Sequence, residues 1–139
     1  MTRFSLSATP IDVTALRREM VAAAAGAYAG FEGWVRNHHA GRAVLGLRYE
    51  AYPRLALAEG ERVLDEAMTR FDILDARCVH RTGTLAVGEV AVWIASTAAH
   101  RDAAFAATRH IIDAIKAQVP IWKHETYADG DAGWIHPVE

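Results

Sequence analysis

Cysteine is almost missing: Cys78 is the single one in 139 residues. An internal disulfide is therefore excluded, and a reducing compartment suits the chain. No apolar run is long enough to span a bilayer, and the opening MTRFSLSATPID lacks the apolar core of a signal peptide. A cytoplasmic protein is the expectation. Neither sign of charge dominates, with 15 Lys and Arg against 17 Asp and Glu and a formal net charge of −2. That balance gives no general attraction to nucleic acid or to an anionic membrane. Any anion must be bound by a local cluster of cations. Internal repeats, low-complexity tracts and Pro/Gly/Ser-rich linkers are missing too, so one domain over residues 1–139 is expected. What remains is 52% hydrophobic and 23% charged, an ordinary globular composition.

Two long segments carry helical periodicity. RLALAEGERVLDEAMTRF repeats Leu57, Leu64, Met68 and Phe71 at helical spacing. HRDAAFAATRHIIDAIKAQV does the same with Phe105, Ile112, Ile115 and Val119, and Pro120 ends it. A shorter helix follows Asp12 as N-cap, with Leu16 and Met20 on one face. Between these lie β-rich runs: RFSLS, the glycine-rich AGAYAGFEGWVR, VLGLRYEAY closed by Pro53, LDARCVHRTGTL, GEVAVWIAST, IWKHETY and WIHPV. Glycine inside the second run predicts a bulge or a close backbone approach. LDARCVHRTGTL and GEVAVWIAST are expected to form an antiparallel pair, ADGDAG a turn, and NHHAGRA a mobile polar loop. Strands flanking two long helices predict an α+β architecture.

The segment KAQVPIWKHE carries the strongest chemical signal. Pro120 separates Lys116, in the last helical turn, from Lys123 on the strand that leaves it. A reversal there would bring two amines over one pocket, partly shielded by Trp122, where an amine can act as acid, base or nucleophile. The plainer alternative is a helix-end lysine plus a Lys123–Glu125 surface pair. His100 and Arg101 open the second long helix, where cations oppose the dipole unless an anion is bound; a solvated pair is the alternative. Arg36, ending FEGWVR, is a further available cation or a surface residue. His38 and His39 are adjacent in a loop and lack supporting Cys or carboxylate ligands, so no metal site is expected. His80 is read as structural and Cys78 as a buried, inert thiol.

Taken in order, FEGWVR, LRYEAYP, VHRTGTLAVGE, STAAHRDAAF and IIDAIKAQVPIWKHE resemble the large, catalytic subunit of molybdopterin synthase, over about Ala25 to Trp134. The resemblance implies an α/β hammerhead-type fold with an additional small antiparallel β-sheet. It also implies a sulfurtransferase that needs no cofactor. Sulfur would arrive as a thiocarboxylate on the C-terminal Gly-Gly tail of a small ubiquitin-like subunit. It would be moved to cyclic pyranopterin monophosphate, forming the molybdopterin dithiolene. Two large subunits would form a homodimer within a heterotetramer.

The same resemblance assigns residues. Lys116 would act at the donor's terminal carbonyl and Lys123 on the pterin. Arg36, His100 and Arg101 would grip the substrate phosphate, with Glu125 orienting Lys123. Independent features agree: Cys78 is poorly placed to carry sulfur, and the chain ends HPVE rather than Gly-Gly. Leu55 stands where many relatives have Met, a volume-conserving change. The chain also ends soon after Trp134, where some relatives carry a longer basic tail. A non-catalytic module binding a phosphorylated metabolite or a partner's tail is the alternative, as is a structural scaffold.

Overall fold

The computed structural model describes residues 2–135, with side chains described through residue 130. Three helices and two sheets bear out the α+β expectation. One sheet orders its strands β1 (Phe4–Ser7), β5 (Asp75–Arg81), β7 (Val90–Ala98) and β2 (Ala27–Trp34). Only β1 with β5 is parallel in it; the β5–β7 pair is antiparallel, as expected. The second sheet, the additional antiparallel one, orders β3 (His38–His39), β4 (Arg42–Ala51), β8 (Ile121–Tyr127) and β9 (Gly130–Ile135). The short β6 (Gly83–Ala86) also pairs with β4, so the expected two-strand region from Leu74 to Thr97 feeds both sheets. The register of β2 against β7 shifts between Gly33 and Trp34, the irregularity that glycine in this strand predicted.

Every residue of β7 from Ala91 to Ala98 is buried, because both faces of the strand are covered. Val92 and Ile94 join the main core with α2 (Pro53–Arg70) and α3 (Arg101–Gln118). Trp93 and Ala95 face the other way, onto Met20 and Leu16 of the segment around α1 (Val13–Glu19). Alternation with period two places successive residues in different cores. Each fully buried aliphatic side chain such as Ile94 or Ile111 contributes roughly 1.5–3 kcal/mol. Asp12 caps α1 as expected, its Oδ1 accepting from the Ala15 N–H at 3.1 Å.

Several sequence expectations are corrected. Pro53 does not close a strand so much as open α2, where its missing N–H costs nothing. Within α2 the buried stripe is Ala56, Gly60, Val63, Leu64 and Ala67, and Leu57 lies half-exposed outside it. In α3, Ile112, Ile115 and Val119 are buried, but Phe105 is exposed. NHHAGRA is an ordered hairpin, with His39 opposite Arg42 across the two-residue turn Ala40–Gly41. Both turn residues have positive φ, 52° at Ala40 and 78° at Gly41; glycine adopts that region freely, whereas Ala40 is held there by the hairpin. The expected turn ADGDAG is shorter, since β9 already begins at Gly130; His136 to Val138 of the expected last strand lie outside the described residues. Among the described residues no helix is long and apolar enough to cross a membrane.

Candidate active site

A cavity of about 490 Å³ opens where α3 meets both sheets. Its floor is apolar, including Val92, Ile112, Ile115 and Ile121, and its polar groups are few. Lys116 reaches it from the last turn of α3, on the helical stripe that also carries Ile112 and Ile115. A cation there also offsets the negative end of the helix dipole. Val119 leaves the helical conformation at φ −85° and ψ 127°, and Pro120 prevents the helix resuming. The chain then runs directly into β8. Ile121, Lys123 and Glu125 alternate along one face of that strand and all line the cavity. Arg36, just beyond β2, lines it as well.

Glu125 is 3% exposed, a burial that an unpaired carboxylate would not tolerate. Its Oε1 is 3.1 Å from Lys123 Nζ and 2.7 Å from His39 Nδ1. Tyr127 places its hydroxyl 3.3 Å from the same His39 nitrogen. Arg42 lies over the Tyr127 ring, 3.7 Å from its centroid, and pairs with Asp129 at 2.7 Å. The Lys123–Glu125 pair foreseen as a surface feature thus exists, but inside the cavity wall. Trp122 does not shield the amines: it alternates to the other face of β8 and borders a separate depression with Tyr52.

His80 and Tyr49 meet edge to face in the wall, with ring centroids 4.8 Å apart. Burial pushes the His80 imidazole down to about 4, and the nearby Lys116 charge adds to this. The contact of its Nδ1 with the Arg81 carbonyl, 2.7 Å away, works in the opposite sense and loses. His80 is therefore neutral near pH 7 and its Nδ1–H donates to that carbonyl. Burial pushes Tyr49 up to about 12, with the Glu125 charge reinforcing it, so the phenol stays protonated. His80 was expected to be structural; it is buried and bonded to backbone, and it also forms part of the cavity wall.

Four of the six candidate residues thus come together in one chain: Arg36, Lys116, Lys123 and Glu125. His100 and Arg101 do not. They stand exposed at the opposite end of α3, about 22 Å from Lys116 at 1.5 Å rise per residue. His39 was missed as a site residue. Only Gly41 hinted at a turn there, a weak signal because a two-residue hairpin favours Asn, Asp or Gly at the position that Ala40 occupies. Cys78 is fully buried and burial pushes its thiol up, as expected for an inert cysteine. Among the described residues no group of three or more His, Cys, Asp or Glu is placed to hold a metal ion.

Fold and cavity together are those of a small α+β enzyme whose pocket holds two lysine amines, and its class is that of the sulfurtransferases. The chain belongs to the MoaE protein family, which matches residues 6–118. It is 44% identical over 110 residues to the molybdopterin synthase catalytic subunit of Thermoplasma volcanium, covering 79% of this chain and 80% of that one. The crystal structure of molybdopterin synthase from Staphylococcus aureus superposes with a TM-score of 0.90 at 33% identity, covering 97% of this chain and 98% of the other. A Helicobacter pylori complex of subunits 1 and 2 of molybdopterin-converting factor shares the fold, with a TM-score of 0.76 at 21% identity over 92% and 87% of the two chains. The activity of the family to which the chain belongs is molybdopterin synthesis, a step of molybdenum cofactor biosynthesis.

Proposed function

We propose that residues 1–139 act as a single catalytic domain in the cytoplasm, assembled as a homodimer within a heterotetramer. Its donor is the C-terminal Gly-Gly thiocarboxylate of a small ubiquitin-like subunit. Its acceptor is cyclic pyranopterin monophosphate. The reading is carried by one observation: Lys116 and Lys123, from a helix end and a strand, line the same cavity. A thiocarboxylate and a phosphate are both anions, and Arg36, Lys116 and Lys123 give the pocket an excess of positive charge over Glu125.

Lys116 stabilises the donor's terminal carbonyl as negative charge builds on it, and exchanges a proton there. Lys123 holds the pterin and moves protons as sulfur replaces oxygen, with Glu125 orienting it. Arg36 binds the phosphate from the cavity rim. His100 and Arg101 serve the phosphate too, but their distance from Lys116 within one chain requires them to come from a second copy. That division of labour gives the homodimer a catalytic purpose. The complex of subunits 1 and 2 solved for the Helicobacter pylori relative supports a separate partner subunit as the donor.

The test is reconstitution. The purified chain, a thiocarboxylated small subunit and cyclic pyranopterin monophosphate should together yield molybdopterin. The mixture without the chain, or with an unmodified small subunit, should yield none. Product formation that does not depend on the chain would overturn the reading.

A further inference from the structure

Two groups converge on one oxygen of Glu125. Lys123 Nζ is 3.1 Å from Oε1 and His39 Nδ1 is 2.7 Å from it. A buried carboxylate that holds an ammonium is ionised and can only accept hydrogen bonds. The imidazole nitrogen beside it must therefore be the donor, which selects the Nδ1–H form of His39. The Tyr127 hydroxyl, 3.3 Å from that nitrogen, then cannot donate to it. The hairpin that carries His39 is itself anchored. His39 pairs in register with Arg42, and Arg42 is clamped between the Tyr127 ring and Asp129. Among the described residues, the charged and titratable groups around the contact include Lys123 and Tyr127 of β8, Arg42 and Tyr49 of β4, and Asp129 beyond them.

We propose that His39 is a positioning residue for Lys123: its Nδ1–H pins Glu125, and Glu125 aims the Lys123 ammonium into the cavity. The inference rests on the sulfur-transfer reading for its catalytic consequence, although its geometry stands apart from it. Lysine and glutamate both have long, flexible stems, and a single contact between them leaves the pair free to swing. A second donor on the same oxygen, coming from a different strand, removes that freedom. Placement of an ammonium to within a fraction of an ångström is what a group-transfer step depends on. His39 touches neither substrate in this scheme, so its effect should fall on turnover rather than on binding.

Two measurements decide it. Long-range 1H–15N NMR of the wild-type chain at neutral pH should find the His39 Nδ1 protonated. Finding Nδ1 bare, as an acceptor from Tyr127, overturns the proposal whether or not the chain is active. In the reconstituted assembly, His39→Ala should lower kcat about tenfold, with KM for the pterin changed less than about twofold. His39→Asn, whose amide can stand where Nδ1–H stood, should recover most of that loss. A wild-type kcat in the alanine variant, or a loss that asparagine does not recover, sinks the idea. Should the alanine variant fold poorly, the wild-type NMR result and the asparagine variant still decide. A wild-type assembly that makes no molybdopterin would instead count against the sulfur-transfer reading.

Discussion

Lys123 Nζ lies 3.1 Å from Oε1 of Glu125, two residues further along β8 and on the same face of the strand. Their side chains are 14% and 4% exposed, so this ion pair is screened little by solvent. The arrangement makes Glu125 the hinge of the site. Glu125→Gln keeps the volume but replaces the ion pair by a neutral contact, and should lower kcat roughly 10–100-fold. Glu125→Ala also leaves a largely buried ammonium without its carboxylate, and should destabilise the fold by about 2 kcal/mol or more. Steady-state kinetics and urea unfolding of the two variants separate the effects. Equal kinetics in wild type and both variants would remove Glu125 from the mechanism.

Lys116 stands at a helix end with part of its surface open to the cavity, so its removal should leave the core intact. Lys116→Ala is expected to abolish molybdopterin formation, by at least about a hundredfold, with a Tm near that of wild type. Lys116→Arg retains charge but presents a planar, permanently protonated group, and should rescue substrate binding more than turnover. Wild-type turnover in the alanine variant would end the assignment.

Stability should depend on pH through His80. Its imidazole is held down to about 4 in the folded chain by burial and by Lys116. In the unfolded chain it takes a proton at an ordinary value, about 6.5. The unfolded state therefore binds more protons between those two values, and stability falls as pH drops through that window. The contribution is complete above about pH 6.5, is lost by about pH 4, and amounts to about 3 kcal/mol. Urea midpoints measured from pH 7 down to pH 4 should follow this course. His80→Asn should flatten it, and an unchanged slope in that variant would show that other groups carry the pH dependence.

Gly60 sits on the buried face of α2 directly against the Phe4 ring, where an added Cβ would overlap the ring carbons. Although alanine is the better helix former, Gly60→Ala should cost about 1–3 kcal/mol by overpacking. For a chain of this length that corresponds to a Tm lower by roughly 3–10 °C. Shrinking the ring with Phe4→Leu should recover part of the loss in the double variant, a coupling that calorimetry would read directly.

Much of the fold was legible because its signals are local. The 18-residue helices α2 and α3 announce themselves by periodicity, and Asp12 and Pro120 mark where helices start or stop. The errors are local signals that tertiary packing overruled. Leu57 and Phe105 obey the helical spacing of their neighbours yet face solvent, because small residues such as Ala56, Gly60 and Ala107 make the close contacts instead. The histidine pair at 38 and 39 looked like loose loop chemistry because the contact that matters for His39 is not local: Glu125 is 86 residues away.

The sequence by itself determined that Lys116 ends a helix, that Lys123 and Glu125 share a strand face, and that Pro120 divides them. Those facts follow from a helical rise of 1.5 Å per residue and a strand period of two, which act over a few residues. Only the tertiary structure decided that both lysines line one cavity, that the Lys123–Glu125 pair is buried, and that His39 completes it. Each of these depends on which strands pair and in what register. Register is set by contacts between residues far apart in the chain, beyond the reach of any local pattern.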